Sequence, residues 1–376
     1  MKKEFVNTKK ALIFGVKPHW DLSPLPASIL CDYLETNSYE VTYICDDLSF
    51  FHLIKWKITV SLLKNFINNI FSNRKIDGVK YLSSFSLFPH FSNINKIFTF
   101  LHSNFNTRFQ SKNIKTSLED SYDVVFCASY RNYEDFIKTN SKRKIFSIED
   151  NPKGFGILSE SLIDKVDKSL EYNNEVEVWC TSKVLIRDSY NFANYYSNGI
   201  NNNFKVDLRF NTNKKCVYIG AIEDWFDWDL VNNVFNYLGN NFGFTLDIFG
   251  HTNKNLNFYI KSDYISYKGS LPNSIVQNSL QKYSVGLIPF KKNNLIKYVN
   301  PIKYYEYLSS GLRTVATDWD ELIELDYKHI FLANHDNFAD SIVNANNSPY
   351  LGQEDEIKNF IMNKNYKNIF KNAFKL

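Results

Sequence analysis

The feature that most constrains the fold is the alternation of short apolar runs with helical patterns along the whole chain. Short runs at 11–16, 144–148, 176–180, 245–249 and 285–288 are predicted to be strands from their length and composition. Helical patterns separate these runs, a succession typical of βαβ units with parallel sheets. We therefore expect an α/β protein.

The length and one break in the pattern predict two domains. A chain of 376 residues exceeds one ordinary core. Turn-forming residues at 196–201, Tyr-Ser-Asn-Gly-Ile-Asn, interrupt the alternation before a second series of strands begins. We predict Rossmann-like, doubly wound domains at 1–200 and 201–350 that face each other across a cleft. A helical tail at 351–376 is expected to pack back toward the first domain.

Composition narrows the function and the compartment. A net charge of +4 is too small to indicate nucleic-acid binding. The five cysteines are scattered without metal-ligand spacing, which favours buried free thiols in a reducing compartment. The polar start has no signal-peptide pattern, and no apolar run reaches the roughly 20 residues that span a bilayer. These features favour a cytoplasmic protein, or one resting on the inner face of the cell membrane.

The stretch from 283 to 311 contains the most informative residues. A buried strand ends near Pro289, and a helix is expected to begin near Pro301, a residue suited to the first helical turn. The amides at that helix start form an anion site, to which Lys303 adds a full positive charge. Glu306 lies one turn further on the same face, where its carboxylate could accept the hydroxyls of a ribose.

This stretch resembles the donor-binding segment of bacterial glycosyltransferases with the B-type fold. The residues are Val-Gly-Leu-Ile-Pro-Phe at 285–290 and Val-Asn-Pro-Ile-Lys-Tyr-Tyr-Glu-Tyr-Leu-Ser-Ser-Gly-Leu-Arg-Thr-Val-Ala-Thr at 299–317. The likeness is greatest to the branch with the teichuronic-acid transferases and the xanthan glucuronosyltransferase. Val-Tyr-Ile-Gly-Ala-Ile-Glu-Asp-Trp-Phe-Asp at 217–227 and Ser-Asn-Gly-Ile at 197–200 resemble that branch's first donor-domain strand and its domain junction.

The resemblance implies roles for individual residues. It places Lys303 on the donor phosphates, Glu306 on the ribose and Gly220 where the backbone approaches the pyrophosphate. Asn300 belongs to the same donor-binding segment. The first domain would then bind the acceptor and the second the nucleotide sugar.

Two departures bear on the stereochemistry. Many retaining members carry two glutamates seven residues apart, but Tyr298 stands where the first would fall. Retaining relatives also have Arg and Lys after the first donor-domain strand, where this chain has Glu223 and Asp224. The diphosphate charge would then be met by Lys303, helix amides and Lys297. These differences favour the inverting branch.

An inverting transferase needs a general base for the acceptor hydroxyl. The strand at 144–148 leads directly into Glu149 and Asp150, and related transferases carry an acidic pair at this point. We nominate Asp150 as the base and Glu149 as the alternative, against the simpler interpretation of a turn before Asn-Pro. His19 and Asp21, in an early loop, are a second pair of candidates for contact with the acceptor.

Three other patterns are weighed against structural explanations. The two Asp-Trp-Asp triplets, at 227–229 and 318–320, match a metal-binding pattern, but they are better explained as helix N-caps, so no metal is expected. Gly154-Phe155-Gly156 lacks the third glycine of a dinucleotide fingerprint, which argues against a nicotinamide dehydrogenase. The basic amphipathic stretch at 54–75 suits either packing on its own sheet or an anionic membrane.

The sequence therefore predicts a hexosyl- or glucuronosyl-type glycosyltransferase that needs no cofactor. It would move a sugar from a nucleoside-diphosphate sugar to a hydroxyl of a surface polysaccharide or lipid-linked oligosaccharide. The expected partners are the donor, a glycan acceptor and an anionic membrane surface, without nucleic acid. A nucleotide-sugar epimerase of the same fold and a non-catalytic sugar-nucleotide-binding subunit remain as alternatives.

Overall fold

The computed structural model describes residues 8–15, 26–49, 74–76, 78–86, 108–109, 112–156, 158–201 and 204–375. These residues divide into two compact units. The first unit extends to Thr181 and includes Leu185–Tyr195, whereas the second comprises Ser182–Val184 and the chain from Tyr196 onward. Each unit has its own parallel sheet.

The first unit contains eleven strands and five α-helices in its described part, counting the helix that begins at Lys183. The strands are β1 (Lys9–Gly15), β2 (Tyr39–Ser49), β3 (Arg74–Ile76), β4 (Val79–Ser86), β5 (Arg108–Phe109), β6 (Ser121–Tyr122), β7 (Val124–Cys127), β8 (Asn140–Ser141), β9 (Lys144–Ile148), β10 (Val176–Cys180) and β11 (Asn194–Tyr195). The helices are α1 (Pro26–Thr36), α2 (Lys112–Glu119), α3 (Tyr133–Lys138), α4 (Glu160–Tyr172) and α5 (Lys183–Ser189).

The main sheet of this unit has the order β11-β10-β9-β7-β1-β2-β4-β3, with β5 paired to β4. Its strands are parallel except for β3 and β5, which run antiparallel to β4. The strand order reverses between β1 and β7, and doubly wound sheets bind ligands outside the carboxyl ends of their strands at such a point. Strand β9 lies next to β7 on that side.

The second unit contains six strands and seven α-helices in its described part. The strands are β12 (Lys215–Ile219), β13 (Thr245–Phe249), β14 (Ile265–Tyr267), β15 (Val285–Ile288), β16 (Arg313–Thr317) and β17 (Ile330–Ala333). The helices are α6 (Trp228–Phe242), α7 (Asn273–Leu280), α8 (Ile302–Ser309), α9 (Asp320–Leu325), α10 (Phe338–Asn346), α11 (Glu354–Asn363) and α12 (Tyr366–Phe374).

The second sheet is parallel throughout, in the order β14-β13-β12-β15-β16-β17. Numbered by chain position, this is the 3-2-1-4-5-6 order of a dinucleotide-binding sheet, with its reversal between β12 and β15. All residues of β15 and β16 are buried. Apolar clusters cover both faces of the sheet, which explains why β15 is a continuous apolar run in the sequence.

The α/β class and the Rossmann-like architecture predicted from the sequence are confirmed. The strands predicted at 144–148, 176–180, 245–249 and 285–288 have the predicted bounds. The cysteines are buried free thiols, as expected. Among the described helices, none has the length and apolar character needed to cross a bilayer.

Candidate active site

Helix α8 begins directly after Pro301, as the sequence predicts. Pro301 adopts an extended conformation at the N-cap and has no side-chain acceptor for the first-turn amides. The Tyr304 N–H donates to the Pro301 carbonyl at 3.1 Å, so the amides that could bind an anion at this end of the helix dipole are those of Ile302 and Lys303. Since α8 follows β15, its start lies at the carboxyl edge of the second sheet, beside the reversal of strand order.

Lys303 and Glu306 lie together on one face of α8. The Lys303 Nζ is 2.6 Å from the Glu306 Oε2, as their i, i+3 spacing allows. The Lys303 side chain is 25% exposed to solvent, whereas the Glu306 side chain is only 6% exposed. The ion pair therefore neutralises a buried carboxylate with a cation that can still reach solvent. A cation donor and a carboxylate acceptor are thus adjacent at the helix start.

The segment before α8 is fixed by buried hydrogen bonds. The Asn300 carbonyl accepts from Asn198 Nδ2 at 2.8 Å, and the Asn300 Oδ1 accepts from the Tyr305 hydroxyl at 2.9 Å. The Val299 carbonyl accepts from the Trp319 indole N–H at 2.8 Å. Asn300 is only 2% exposed, and these bonds hold it at the start of α8; its part in donor binding stays a prediction.

Lys297 and Tyr298 lie on a single 3₁₀ turn just before this segment, at Ile296–Tyr298. Both side chains are half-buried. The Lys297 Nζ lies 4.9 Å from the centroid of the Tyr298 ring and 4.0 Å from the Asp320 Oδ2. The turn therefore adds a second cation near α8, with the Tyr298 ring beside it.

Two glycines bring the carboxyl ends of β12 and β13 together. The Gly220 N–H donates to the Phe249 carbonyl at 3.0 Å, and the Ile222 N–H donates to the His251 carbonyl at 3.0 Å. Gly250 has φ +153°, and a Cβ there would lie 1.7 Å from the Gly220 oxygen. Gly250 was not among the predicted site residues. Its signal was a glycine directly after a strand in a chain with only 13 glycines.

A third glycine lets α8 pack directly on the sheet. A Cβ on Gly286 would lie 2.4 Å from the ring of Tyr307, so the ring lies flat against β15 at this point. The Tyr307 hydroxyl accepts a hydrogen bond from the Ile219 N–H at 3.0 Å. The second half of α8 is therefore held against the end of β12, where the phosphate-binding edge is expected.

The acidic residues after β12 are partly neutralised. Lys254 forms an ion pair with Asp224, and the hydrogen bond from Lys254 holds the pKa of that carboxyl below its ordinary value. Lys291 adds a weaker effect in the same direction. Asp224, which the sequence suggested as unfavourable for a diphosphate, is therefore balanced by neighbouring lysines.

The two Asp-Trp-Asp triplets have different roles. Asp227 is the N-cap of α6, and its side chain accepts from the Leu230 N–H at 3.1 Å, which confirms the capping prediction there. The capping prediction is wrong for Asp318, because α9 begins at Asp320 with Trp319 as its N-cap. Asp318 instead lies 2.8 Å from the Lys292 Nζ. Among the described residues, no group of three metal-ligating side chains comes together.

Glu149 and Asp150 directly follow β9 in the first unit, at the carboxyl edge beside the strand-order reversal. Both are half-buried, and burial raises the pKa of Asp150 to about 7. Burial and then the Asp150 charge raise the pKa of Glu149 to about 8. The Glu149 Oε1 is buried without a hydrogen-bond partner in the described part of the chain. Near neutral pH this pair holds between one and two protons, which suits proton transfer.

The remaining sequence predictions cannot be placed. His19, Asp21 and most of the basic stretch at 54–75 lie outside the described residues. They remain predictions for the acceptor and the membrane surface.

One buried carboxylate was missed from the sequence. Glu321, in the first turn of α9, is fully buried. It accepts from the Ser182 Oγ at 2.6 Å and from the N–H groups of Lys183 and Val184 at 3.0 and 2.9 Å. Its partners lie more than 130 positions earlier in the chain, so no local pattern could have indicated this contact.

The fold is that of solved glycosyltransferases with the B-type architecture. S. aureus TarM has a TM-score of 0.63 and 13% identity, over 98% of this chain and 99% of that one. Anabaena HepE, solved with UDP-glucose, has a TM-score of 0.59 and 10% identity, over 98% and 100% of the two chains. The pneumococcal O-GlcNAc transferase GtfA, solved with UDP and GlcNAc, has a TM-score of 0.58 and 10% identity, over 98% of each chain.

No protein-family model and no curated protein matches the sequence. At these identities the structural likeness establishes the fold class. The activity has to be argued from the site itself.

Proposed function

We propose that this protein transfers a sugar from a nucleoside-diphosphate sugar to a hydroxyl of a glycan acceptor. The observation that carries the proposal is the pairing of Lys303 with the buried Glu306 at the uncapped start of α8. A nucleoside diphosphate presents an anionic group and a ribose diol a few ångströms apart. The site offers a cation with free helix amides for the first and a carboxylate for the second.

Donor binding would exchange partners within the site. Lys303 would turn from Glu306 to the diphosphate, and Glu306 would accept hydrogen bonds from the ribose hydroxyls in place of the ammonium group. Lys297 would supply a further positive charge. Gly220 would let the backbone approach the pyrophosphate, and the close approach of Gly250 to the Gly220 carbonyl would hold that backbone in place.

The proposed reaction is an inverting displacement with Asp150 as base. The acceptor hydroxyl loses its proton to the Asp150 carboxylate while its oxygen bonds to the anomeric carbon. The bond from that carbon to the diphosphate breaks, and the leaving group takes the electron pair. Lys303 and the α8 amides would stabilise the leaving charge, so the proposal requires neither metal nor cofactor.

The acceptor is proposed to be a growing cell-envelope polysaccharide, such as a capsule, or its lipid-linked precursor. Synthesis of such precursors on the cytoplasmic side would favour peripheral attachment at the inner face of the membrane. The unplaced basic stretch at 54–75 would provide that attachment. Flotation with anionic vesicles tests it, and a protein that stays in the unbound fraction would contradict it.

A thermal-shift screen over nucleoside diphosphates and their sugars tests donor binding, since a ligand at 100 times its Kd stabilises by about 2.7 kcal/mol. Lys303→Met, which should weaken binding about tenfold to a hundredfold, should cut this stabilisation to about 0.4–1.4 kcal/mol at the same donor concentration. Lys358→Met is the matched control, because Lys358 forms an exposed i, i+3 pair with Asp355 on α11. If no nucleotide sugar shifts the melting temperature, or if both variants respond equally, the proposed donor site is wrong.

The stereochemistry is tested on the product of the donor so identified. The proton coupling constant at the new glycosidic bond gives its configuration by NMR. Inversion relative to the donor supports Asp150 as a base acting in a single displacement. Retention would overturn the inverting mechanism while leaving the donor site in place.

A further inference from the structure

One exposed aromatic ring lies close in sequence to the proposed base. Phe155 follows Asp150 by five residues, in the loop between β9 and α4. Its exposed fraction is 41%, and no aromatic pairing among the described residues includes it. By contrast, Tyr130, Tyr133 and Phe146 of the same unit pack their rings against one another. Phe155 is therefore an aromatic side chain that the core of this unit does not use.

The loop that presents this ring is held in place. The Asn151 carbonyl accepts from the Gly154 N–H at 3.0 Å, and the Asn151 Oδ1 accepts from the Lys153 N–H at 3.1 Å. The Lys153 Nζ also lies 2.8 Å from the Asp164 Oδ1 on α4. A hydrogen-bonded turn thus fixes the chain just before Phe155, so the ring is presented from an ordered backbone.

The glycine that follows the ring adds to this arrangement. Gly156 has φ +60°, a left-handed conformation that glycine adopts without strain. A Cβ at that position would meet no described atom within 4 Å apart from its chain neighbours, so conformation and not crowding favours glycine there. An exposed ring on such a turn is what a flat ligand face requires.

We propose that Phe155 binds the acceptor sugar by stacking its ring against the apolar face of a pyranose. This inference rests on the proposed function. A pyranose exposes axial C–H groups on one face and hydroxyls at its rim, so an aromatic ring recognises the face without hydrogen bonds. Because Phe155 and Asp150 belong to the same loop after β9, a sugar stacked on the ring would leave a rim hydroxyl to the carboxylate. Phe155 is then a determinant of acceptor binding, and it takes no part in donor binding.

The binding test uses saturation-transfer NMR with methyl glycosides of glucose, galactose and N-acetylglucosamine. This readout does not require turnover, so it remains informative even if no donor is found. The wild-type protein should transfer saturation to the protons of one pyranose face. Phe155→Ala should lose the effect, and Phe155→Tyr should keep it. Tyr172→Ala is the control, because Tyr172 is 74% exposed in the same unit, at the far end of α4.

The kinetic test separates the acceptor from the donor. Phe155→Ala should raise the acceptor KM about fivefold to tenfold, the ratio expected for one lost stacking contact. The thermal shift produced by the donor should remain unchanged. The proposal is overturned if no methyl glycoside binds the wild-type protein, if Phe155→Ala binds glycosides normally, or if only vesicle binding is lost. Loss of the donor shift in every variant would count against the proposed function instead.

Discussion

Replacing Asp150 by asparagine should abolish transfer and at the same time stabilise the protein. The substitution keeps the size of the side chain but removes its charge and its basicity. Activity is lost because an amide cannot take the acceptor proton. Donor affinity should be nearly unchanged, because the proposed donor residues all belong to the second unit.

The size of the stability gain follows from the pKa. Burial raises the pKa of Asp150 from 3.8 to about 7, so ionisation in the folded protein is unfavourable. This destabilisation is absent below the pKa of the unfolded chain, grows as the pH rises and is complete above pH 7. At 1.36 kcal/mol per pKa unit, it reaches at most about 4 kcal/mol at pH 8 and about 2 kcal/mol at pH 5. The benefit of Asp150→Asn should therefore grow by about 2 kcal/mol between these two pH values.

Calorimetric unfolding of the wild type and the variant at pH 5 and pH 8 measures this difference. Asp123→Asn is a control with the opposite sign, because the hydrogen bond from Lys142 lowers the pKa of Asp123. That variant should be less stable at pH 8. The reasoning is refuted if Asp150→Asn destabilises the protein at pH 8, or if its benefit does not depend on pH. Turnover within tenfold of the wild type would remove Asp150 from the role of base.

Three further predictions concern the second unit. Lys303→Met should weaken binding of the identified donor by about tenfold to a hundredfold in calorimetric titration, since one charge-assisted contact contributes about 1.5–3 kcal/mol. The double variant Lys303→Met, Glu306→Gln should regain stability but not donor affinity. Full donor affinity in either variant would contradict the assigned roles. Gly250→Ala should lower the melting temperature strongly, because its Cβ would lie 1.7 Å from a backbone oxygen, and an unchanged melting curve would refute the close approach. Glu321→Ala should cost about 2–4 kcal/mol in urea unfolding because it leaves the buried Ser182 hydroxyl and Val184 N–H, and the part-buried Lys183 N–H, without an acceptor. A loss below about 1 kcal/mol would mean that water replaces the carboxylate.

Strand β15 of the second sheet was predictable because it is a continuous buried apolar run at 285–288, and it was placed with the correct bounds. Strand β13 at 245–249 was also placed correctly from its three apolar residues, although its burial alternates. Strand β4 was missed because serines at 83, 84 and 86 interrupt its apolar residues. Such an interrupted strand carries a weaker signal than a continuous run.

Within the candidate site, the residues that could be predicted are those whose roles depend on neighbours in the sequence. Lys303, Glu306 and Asp227 were assigned from local spacing, because a helix start fixes where neighbouring residues point. Glu321 was missed because its partners come from a distant part of the chain. The capping prediction for Asp318 was wrong for a related reason, since Lys292 draws that carboxylate into an ion pair and α9 begins later.

The Lys303–Glu306 pair explains how a buried carboxylate can be both stable and available. Removing Lys303 alone leaves a charge that is 6% exposed without its cation, so the folded protein depends on the pair when no donor is bound. A donor that attracts Lys303 to its phosphates must therefore supply Glu306 with new hydrogen-bond donors. A nucleoside diphosphate does this through its ribose hydroxyls, whereas inorganic pyrophosphate cannot. The site should consequently discriminate between the two by more than their charges imply, and the affinity ratio in calorimetric titration measures that coupling. A pyrophosphate affinity equal to that of the nucleoside diphosphate would show that Glu306 plays no part in recognition.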